Sequence, residues 1–277
     1  DNLENGHDWA VQWGPFEQGD IRDRADLDAA IAKHRPDAVM HFAGYIEVGE
    51  SVRDPLRFYR NNVAGSLILL EAMHAAGIGH IVFSSSCAVY GSPYARSKLA
   101  MEYMLEDCRA AHGLSYAALR YFNAAGADPE GRIGESHAPE THALPLLIDT
   151  ALGRRKNFSI FGTDYPTPDG TAVRDYIHVD DLAAAHVSAL DHLLAASDSL
   201  VLNLGTGTGC SVRKLIDAVE RVSGRKVPVT EEARRPGDPP ALVADPARAR
   251  KFLDWCPAYT DIDAIIATAW KWHAERN

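Results

Sequence analysis

A serine run and a tyrosine–lysine pair are the residues in this sequence best suited to chemistry. Ser84, Ser85 and Ser86 precede Tyr94 and Lys98, which stand four residues apart. Residues four apart on an α-helix share one face, so the Lys98 ammonium can lie near the Tyr94 phenol. A neighbouring cation favours the phenolate, and a tyrosine whose pKa falls from about 10 can act as a general base near neutral pH. The spacing therefore predicts that Tyr94 abstracts a proton and that Lys98 supplies positive charge.

The residues before Tyr94 predict the start of a helix. Ser92 is a favourable N-cap residue, and Pro93 suits the first helical position. Tyr94 would then lie in the first turn, where the helix dipole stabilises an anion by about 1 kcal/mol. Lowering the tyrosine pKa by about 3 units requires about 4 kcal/mol, so Lys98 must supply most of the rest. Because this spacing also arises by chance, the alternative is an interfacial tyrosine beside a solvated lysine.

Short apolar runs alternate with longer helical patterns around these residues. Strands are predicted at 38–44, 81–84 and 117–122, and helices at about 55–76 and 94–112. This alternation indicates βαβ units, so we expect an α/β protein with a doubly wound, Rossmann-type parallel sheet. Such sheets bind ligands at the carboxyl ends of their strands, where the serine run is predicted.

The later part of the sequence mixes loops with further strands and helices. Glycine-rich and proline-rich loops are predicted at 123–135 and 161–170, strands at 175–179 and 200–204, and helices at about 180–196, 212–223 and 261–273. At the other end, Asp1 and Asn2 are residues expected just after the second strand of a doubly wound sheet. We therefore expect the first strand, loop, helix and strand, about 30 residues, to be missing from the chain.

Composition excludes several classes of protein. The 277 residues are 46% hydrophobic, enough for a sizeable core and about two domains. The net charge of −10 disfavours nucleic acid as a partner. No apolar run approaches the roughly 18 residues of a membrane span, and the N-terminus has no signal-peptide pattern. Four widely spaced cysteines are typical of a reducing compartment. We expect a soluble, cytoplasmic protein.

The glycine-rich segment 205–209 and the histidines are two further candidates for ligand sites. Gly205-Thr206-Gly207-Thr208-Gly209 follows a predicted strand, but its spacing departs from the G-x-G-x-x-G of dinucleotide loops. The twelve histidines show no spacing such as His-Glu-x-x-His, so no metal is expected.

Longer motifs carry a resemblance to a known family. The serine run with Val89-Tyr90-Gly91, followed by Tyr94-x-x-x-Lys98, resembles the extended short-chain dehydrogenases/reductases. More narrowly, the chain resembles the UDP-glucose 4-epimerase family along its whole length, in the motifs His41-Phe42-Ala43-Gly44, Val48-Gly49-Glu50-Ser51, Arg120-Tyr121-Phe122-Asn123, the block from Phe161 to Thr171, and the block from Val173 to Val179. The resemblance implies interconversion of UDP-glucose and UDP-galactose by transient oxidation at C4 with tightly held NAD+, followed by non-stereospecific return of the hydride.

The resemblance also implies a role for individual residues. Tyr94 would take the proton from the sugar 4-hydroxyl, Ser86 would hydrogen-bond the sugar oxygen, and Lys98 would bind the nicotinamide ribose and lower the tyrosine pKa. NAD would contact Tyr94 and Lys98 together with Asp1, Asn2, Asp20, Ile21, Phe42, Ala43, Gly44, Asn62, Ser84 and Tyr121. The UDP-sugar would contact Ser86 together with Phe122, Asn123, His142, Ala143, Phe161, Arg174, Arg235, Asp238 and Leu242. An acidic residue after the second strand suits a ribose 2′-hydroxyl, which favours NAD over NADP.

The same resemblance implies domains and an assembly. Residues 1–123 and 176–204 would bind NAD, and 124–175 and 205–277 would form a smaller UDP-sugar lobe. The helices at 55–76 and 94–112 would pair with a second subunit, which gives a homodimer.

Departures from the family pattern keep alternatives open. The N-terminal Gly-rich loop is missing, and Tyr90-Gly91 runs into Ser92 where the family has a loop of about 20 residues, so the chain is expected to be incomplete. Ile46 replaces a lysine of many members, and Leu242 leaves the acceptance of N-acetylated UDP-sugars open. The alternatives are a related NAD-dependent UDP-sugar modifier, namely a UDP-GlcNAc, pentose or uronate 4-epimerase or a dehydratase, and a non-catalytic UDP-sugar-binding fragment.

Overall fold

The chain divides into two compact units. A computed structural model describes residues 1–88, 91–235 and 237–275. The first unit contains Asp1–Arg120 and His186–Leu202, and the second contains Tyr121–Ala185 and Asn203–Asn277. Within the described ranges, every helix is too short or too polar to cross a membrane.

A four-stranded sheet forms the centre of the first unit. Its strands are β1 (Val39–His41), β2 (His80–Ser86), β3 (Ser115–Tyr121) and β7 (Leu200–Leu204), in that spatial order. Strands β1 and β2 are parallel, with Val39 opposite Ile81. From Ile81 to Ser86, β2 is buried at every residue, as in a parallel strand covered on both faces. The predicted α/β class with a parallel sheet is confirmed.

Helices surround this sheet. They are α1 (Arg24–His34), α2 (Val48–Arg53), α3 (Pro55–Phe58), α4 (Ser66–Ala75) and α5 (Pro93–His112), with a short 3-10 turn at Asp8–Ala10. The helix predicted at about 55–76 is present, but a π-helical segment, Tyr59–Gly65, separates α3 from α4. Gly65 allows a close approach there, since a Cβ atom at this position would lie 2.8 Å from Ile21.

The second unit is built around β6 (Val173–His178). This strand pairs in parallel with β4 (Asn123–Ala125) and β10 (Ala241–Leu242), and antiparallel with β8 (Gly209–Ser211). A separate parallel pair joins β5 (Phe158–Phe161) to β9 (Val229–Glu232). The predicted loop at 123–135 thus begins with a short strand, because its backbone finds hydrogen-bonding partners on β6, far away in the sequence.

Helices α6 (Ala143–Ala151), α8 (Val212–Ser223), α9 (Ala247–Leu253) and α10 (Ile262–Glu275) complete the second unit. Three of them supply its core, in which Leu147, Leu215 and Ile266 are fully buried. Helix α7 (Val179–Ala196) begins in the second unit and ends in the first.

The compact units differ from the predicted domains in where they divide the chain. Residues 121–123, 176–185 and 203–204, which the predicted NAD domain includes, belong to the second unit. The units reflect packing, whereas the predicted domains reflect ligands. The ligand-based division therefore stays a prediction.

Candidate active site

Helix α5 begins where the sequence predicts. The Ser92 side chain caps it by accepting a hydrogen bond from the Ala95 backbone N–H at 3.1 Å, and Pro93 is the first helical residue. Tyr94 therefore lies in the first turn, with Lys98 one turn further along the helix.

Lys98 is a buried cation. Lys98 is only 3% exposed, and its Nζ donates a hydrogen bond to the Ser84 carbonyl oxygen at 2.7 Å. Burial disfavours the charged ammonium and lowers the pKa of Lys98 to about 8. Among the described residues, the Ser84 carbonyl is the hydrogen-bond acceptor of Nζ, so the ammonium retains two donors for a ligand.

Tyr94 and Ser86 lie within hydrogen-bonding reach of each other. Burial raises the pKa of the Tyr94 phenol, a hydrogen bond from Ser86 opposes that rise, and the neighbouring Cys87 adds to it. The sequence led us to expect a lowered pKa, so this expectation is wrong for the chain alone. The reason is that burial outweighs the Ser86 hydrogen bond, while the Lys98 ammonium is engaged by Ser84.

Asn62 connects the loop after β1 to helix α5. It is buried in the π-helical segment, where Oδ1 accepts from the Tyr45 N–H at 2.8 Å. Its Nδ2 donates to the Tyr45 carbonyl and to Ser97 Oγ, both at 3.0 Å. A Cβ atom at Gly44 would lie 3.3 Å from Asn62 Oδ1 and 3.5 Å from Lys98 Nζ. Glycine thus leaves a narrow space beside the buried ammonium.

A second group of predicted cofactor residues meets near the start of the chain. Asn2 Nδ2 donates to Asp20 Oδ2 at 3.0 Å. Hydrogen bonds from Arg22 hold the pKa of the Asp20 carboxyl well below its usual range. Asp1 Oδ1 accepts from the Leu3 N–H at 2.6 Å, and Ile21 packs beside Gly65. This group keeps Asp20 ionised, as an acceptor for ribose or adenine donors must be.

The remaining predicted cofactor residues lie on or near the sheet. Phe42 and Ala43 follow β1 and are exposed, and the Phe42 ring lies 4.8 Å from the His186 ring. Tyr121 is the last residue of β3 and is partly exposed.

Glu102 is a site-supporting residue that the sequence analysis missed. This buried residue of α5 lies one turn beyond Lys98, and its carboxylate accepts from Ser85 Oγ at 2.5 Å and from Arg120 Nε at 2.8 Å. A second hydrogen bond from Arg120 makes the ion pair bidentate. Because Ser85 stands between Ser84 and Ser86, this clamp fixes β2 relative to the helix that carries Tyr94 and Lys98. Lys98 and Glu102 stand four residues apart and so share one face of α5, and this spacing could have identified Glu102 from the sequence.

Replacing Glu102 by alanine is expected to destabilise the chain by about 3 kcal/mol, because it removes a buried carboxylate that pairs with Arg120 and accepts a hydrogen bond from Ser85. Urea unfolding of Glu102→Ala measures this loss. The control is Glu71→Ala, whose carboxylate is 57% exposed and lies 4.0 Å from Arg24, and which should change stability by less than about 1 kcal/mol. Equal effects of the two substitutions would contradict the clamp.

In the second unit, Arg174 lies beside two other predicted substrate residues. Its guanidinium pairs with the Asp238 carboxylate and donates to the Val173 carbonyl oxygen at 2.8 Å. Leu242 pairs with Arg174 in the register of β10 and β6. The structure therefore brings Arg174, Asp238 and Leu242 together.

The other predicted substrate residues form smaller groups. The Arg235 guanidinium lies 3.8 Å from the centre of the Phe161 ring. Asn123 Nδ2 donates to the Asp175 carbonyl oxygen at 3.1 Å, and Phe122 beside it is partly exposed. Ala143 is the first residue of α6, and His142 is its N-cap, with Nδ1 3.0 Å from Glu140 Oε1.

The structure explains why the loop from Gly205 to Gly209 is a poor phosphate site. Asp175 is fully buried beneath it, and the carboxylate accepts from the Thr206 and Gly207 N–H groups, both at 2.9 Å. It also accepts from Thr206 Oγ1 at 2.7 Å and from the Ala244 N–H at 3.1 Å. The chain's own carboxylate thus occupies the place that an anion would take in a dinucleotide loop.

Comparisons with known proteins agree with one another. A sequence model of the NAD dependent epimerase/dehydratase family matches residues 1–205. A curated UDP-glucose 4-epimerase from Rhizobium leguminosarum bv. trifolii is 56% identical over 293 residues, which cover 100% of this chain and 89% of the relative.

Solved structures give the same result. The UDP-glucose 4-epimerase from Brucella ovis in complex with NAD matches with a TM-score of 0.95 and 50% identity, over 98% of this chain and 88% of that one. The enzyme from Bifidobacterium longum in complex with NAD+ and UDP matches with a TM-score of 0.92 and 36% identity, over 99% and 90% of the two chains.

The alignment also bears on the length of this chain's interior. The region aligned with the Rhizobium relative spans 293 positions, more than the 277 residues of the chain. This chain therefore lacks residues that the relative has within the aligned region. The sequence predicts such a shortening next to Tyr90, and both Val89 and Tyr90 lie outside the described residues.

Proposed function

Because the chain belongs to the NAD dependent epimerase/dehydratase family, we infer that it is a UDP-glucose 4-epimerase, an isomerase that interconverts UDP-glucose and UDP-galactose. The observation that supports this inference is the hydrogen bond between Ser86 at the end of β2 and Tyr94 at the start of α5, with the buried Lys98 one turn further along that helix. Incubation with UDP-galactose should yield UDP-glucose, as followed by NMR. A failure to form any isomer would overturn the assignment.

The residues of the first unit fit NAD. A buried Lys98 ammonium with donors to spare needs a polar ligand, and Gly44 leaves space beside it that a Cβ atom would fill. Asp1 is the acidic residue expected after the second strand, where it would suit a ribose 2′-hydroxyl and repel a 2′-phosphate. Asp20, which accepts a hydrogen bond from Asn2, would lie beside the adenine. The contacts assigned to Asp1, Ile21, Phe42, Ala43, Asn62 and Ser84, and to Tyr121 of the second unit, follow the family pattern and are part of the proposal.

Tyr94 is the proposed general base. When bound, NAD+ supplies a positively charged acceptor for the C4 hydride and returns that hydride to the sugar. Tyr94 removes the proton of the 4-hydroxyl as the 4-keto sugar forms, and gives the proton back when the other face of the ketone is reduced. Its pKa is raised in the chain alone, so the base becomes effective only when added positive charge offsets the cost of burial.

Ser86 and Lys98 prepare the tyrosine for this role. Ser86 donates a hydrogen bond that stabilises negative charge on the Tyr94 oxygen. The Ser86 oxygen can also accept a hydrogen bond from the sugar 4-hydroxyl and so orient it. Lys98 holds a positive charge in a site of low polarity, where a charge acts more strongly than in water. Helix α5 and strand β2 therefore hold in place the side chains among which the proton moves.

The second unit supplies the proposed nucleotide-binding residues. Arg174 and Arg235 would neutralise the diphosphate, since guanidinium groups bind phosphate oxygens in a fork geometry. Asp238 would accept hydrogen bonds from ribose hydroxyls, and its ion pair with Arg174 holds both side chains in position. Phe122, Asn123, His142, Ala143, Phe161 and Leu242 complete the set that we propose for the sugar and uracil.

Replacing Arg174 by methionine is expected to weaken UDP binding by about 10-fold to 100-fold, because a charged hydrogen bond contributes about 1.5–3 kcal/mol. Calorimetric titration with UDP measures this change. The control is Arg213→Met, which removes an exposed guanidinium paired with Glu231 in the same unit. Unchanged UDP affinity in Arg174→Met would refute its role as a phosphate ligand.

A homodimer is the proposed assembly. Leu56 before the π-helical segment, Leu67 on α4 and Tyr103 on α5 are 65%, 45% and 63% exposed, which gives these helices apolar surface to bury against a second copy. Light scattering coupled to size exclusion would test it, and a monomer at all concentrations would contradict it. The free thiols Cys87, Cys108, Cys210 and Cys256 support a reducing cytoplasm as the proposed location.

A further inference from the structure

A short segment before α6 brings two histidines and two glutamates together. Glu135, His137, Glu140 and His142 each offer one ligand atom, and these four atoms lie within 4.8 Å of one another. We propose that these four residues bind one Zn²⁺ ion. The inference does not rest on the proposed function. His142 is also in the set proposed for the UDP-sugar, and here it would bind the ion through Nδ1, the nitrogen beside Glu140. The four residues all belong to the second unit.

The distances within the cluster are close to those of a metal site. His137 Nδ1 lies 2.5 Å from Glu135 Oε1 and 3.8 Å from Glu140 Oε2, and His142 Nδ1 lies 3.0 Å from Glu140 Oε1. Zinc bonds of about 2.0–2.2 Å in a tetrahedron place ligand atoms about 3.3–3.5 Å apart. A central cation therefore requires the closest pair of ligand atoms to separate by about 1 Å and the most distant atoms to approach each other by about 1.5 Å at most.

Burial and anchoring prepare these side chains for a ligand. The side chains of His137 and Glu140 are only 10% and 15% exposed. Among the described residues, the buried Nε2 of His137 has no hydrogen-bond partner, so the polar contacts of this ring are made by Nδ1, the nitrogen that faces Glu135 and Glu140. The Trp272 indole donates to the Glu135 carbonyl oxygen at 2.8 Å and fixes the start of the segment. Helix α6 fixes its end, because His142 is the N-cap residue.

The donor set selects the kind of ion. Imidazole nitrogens favour zinc and similar transition metals over Mg²⁺ and Ca²⁺, which prefer oxygen ligands alone. Two carboxylates balance the charge of a divalent cation. Four protein ligands leave no open position, which is the pattern of a structural zinc site rather than a catalytic one. Glu135 and His142 are 37% and 43% exposed, so an ion can enter from solvent.

The test is a Zn²⁺ titration of the full, untagged chain after treatment with a chelator. We expect one ion per chain by calorimetry and a higher thermal midpoint when the ion is bound. Co²⁺ in place of Zn²⁺ should give the visible bands of a four-coordinate site without a thiolate charge-transfer band, which excludes binding by the free cysteines. Glu140→Gln and His137→Ala should each weaken binding by about 100-fold or more, since each removes a ligand.

The matched control is His34→Ala. His34 Nε2 also lies 2.9 Å from a carboxylate, that of Glu17, but on the surface of the first unit and outside the cluster. This variant should bind Zn²⁺ as the unaltered chain does. Failure of the unaltered chain to bind one ion, or binding that persists in Glu140→Gln, would show a hydrogen-bonded cluster only. Because glutamine keeps the shape of glutamate, this variant decides the outcome even if His137→Ala does not fold.

Discussion

Tyr94→Phe is expected to lower the turnover of UDP-galactose by about 1,000-fold or more while UDP affinity changes by less than about 2-fold. The substitution removes only the phenol oxygen that we propose exchanges a proton with the sugar. The proposed UDP ligands Arg174 and Asp238 belong to the second unit and keep their ion pair. A coupled assay of UDP-glucose formation and a calorimetric titration with UDP measure the two effects.

Tyr103→Phe is the matched control for this prediction. It makes the same change on the same helix, but the Tyr103 side chain is 63% exposed and lies outside the proposed catalytic group. Turnover in this variant should remain close to that of the unaltered enzyme. Near-normal turnover in Tyr94→Phe would instead show that another group takes the proton.

Lys98→Met is expected to have opposite effects on activity and stability. Turnover should fall by about 100-fold or more, because the cation that assists Tyr94 is lost. In the cofactor-free chain at pH 7, however, the free energy of unfolding should rise by about 2 kcal/mol. Burial lowers the pKa of Lys98 from 10.5 to about 8, a cost of about 3 kcal/mol for the charged form, and the lost hydrogen bond to Ser84 offsets about 1 kcal/mol of the gain.

The lowered pKa of Lys98 determines how the free energy of unfolding changes with pH. Below pH 8 both the folded and the unfolded chain carry the proton, so the full cost of the buried charge is present. Between pH 8 and 10.5 the unfolded chain binds more protons at this residue, so stability rises with pH. Lys98→Met should lack this rise in urea-unfolding series at several pH values. The control is Lys156→Met, which alters an exposed lysine. If the free energy of unfolding changed equally with pH in the unaltered chain and in both variants, the buried charge would be contradicted.

Local features of the site could be predicted from the sequence. Ser92 and Pro93 start a helix because their preferences act within one turn, and the four-residue spacing places Tyr94 and Lys98 on one face of it. The alternation of strands and helices predicted the α/β class, because the hydrophobic periodicity of each element is also a local property of the sequence. The π-helical segment around Asn62 and the short strand β4 were missed, because they depend on contacts with residues distant in the sequence.

The cluster proposed to bind Zn²⁺ could not be predicted from the sequence for the same reason. A search for His-Glu-x-x-His finds ligands that one helix presents, whereas residues 135–142 form an irregular segment with no periodicity to read. Only the folded chain shows that their side chains converge.

The sequence by itself determined which groups are present for chemistry, which family the chain resembles and where the helix that carries Tyr94 and Lys98 begins. The tertiary structure alone decided that Lys98 is buried, that the pKa of Tyr94 is raised in the chain by itself, that Glu102 clamps β2 to α5, and that Asp175 fills the glycine-rich loop. The physical reason is that helix starts and faces arise from neighbours within a few residues. The charge state and partners of a buried group are set by desolvation and by residues brought from elsewhere in the chain.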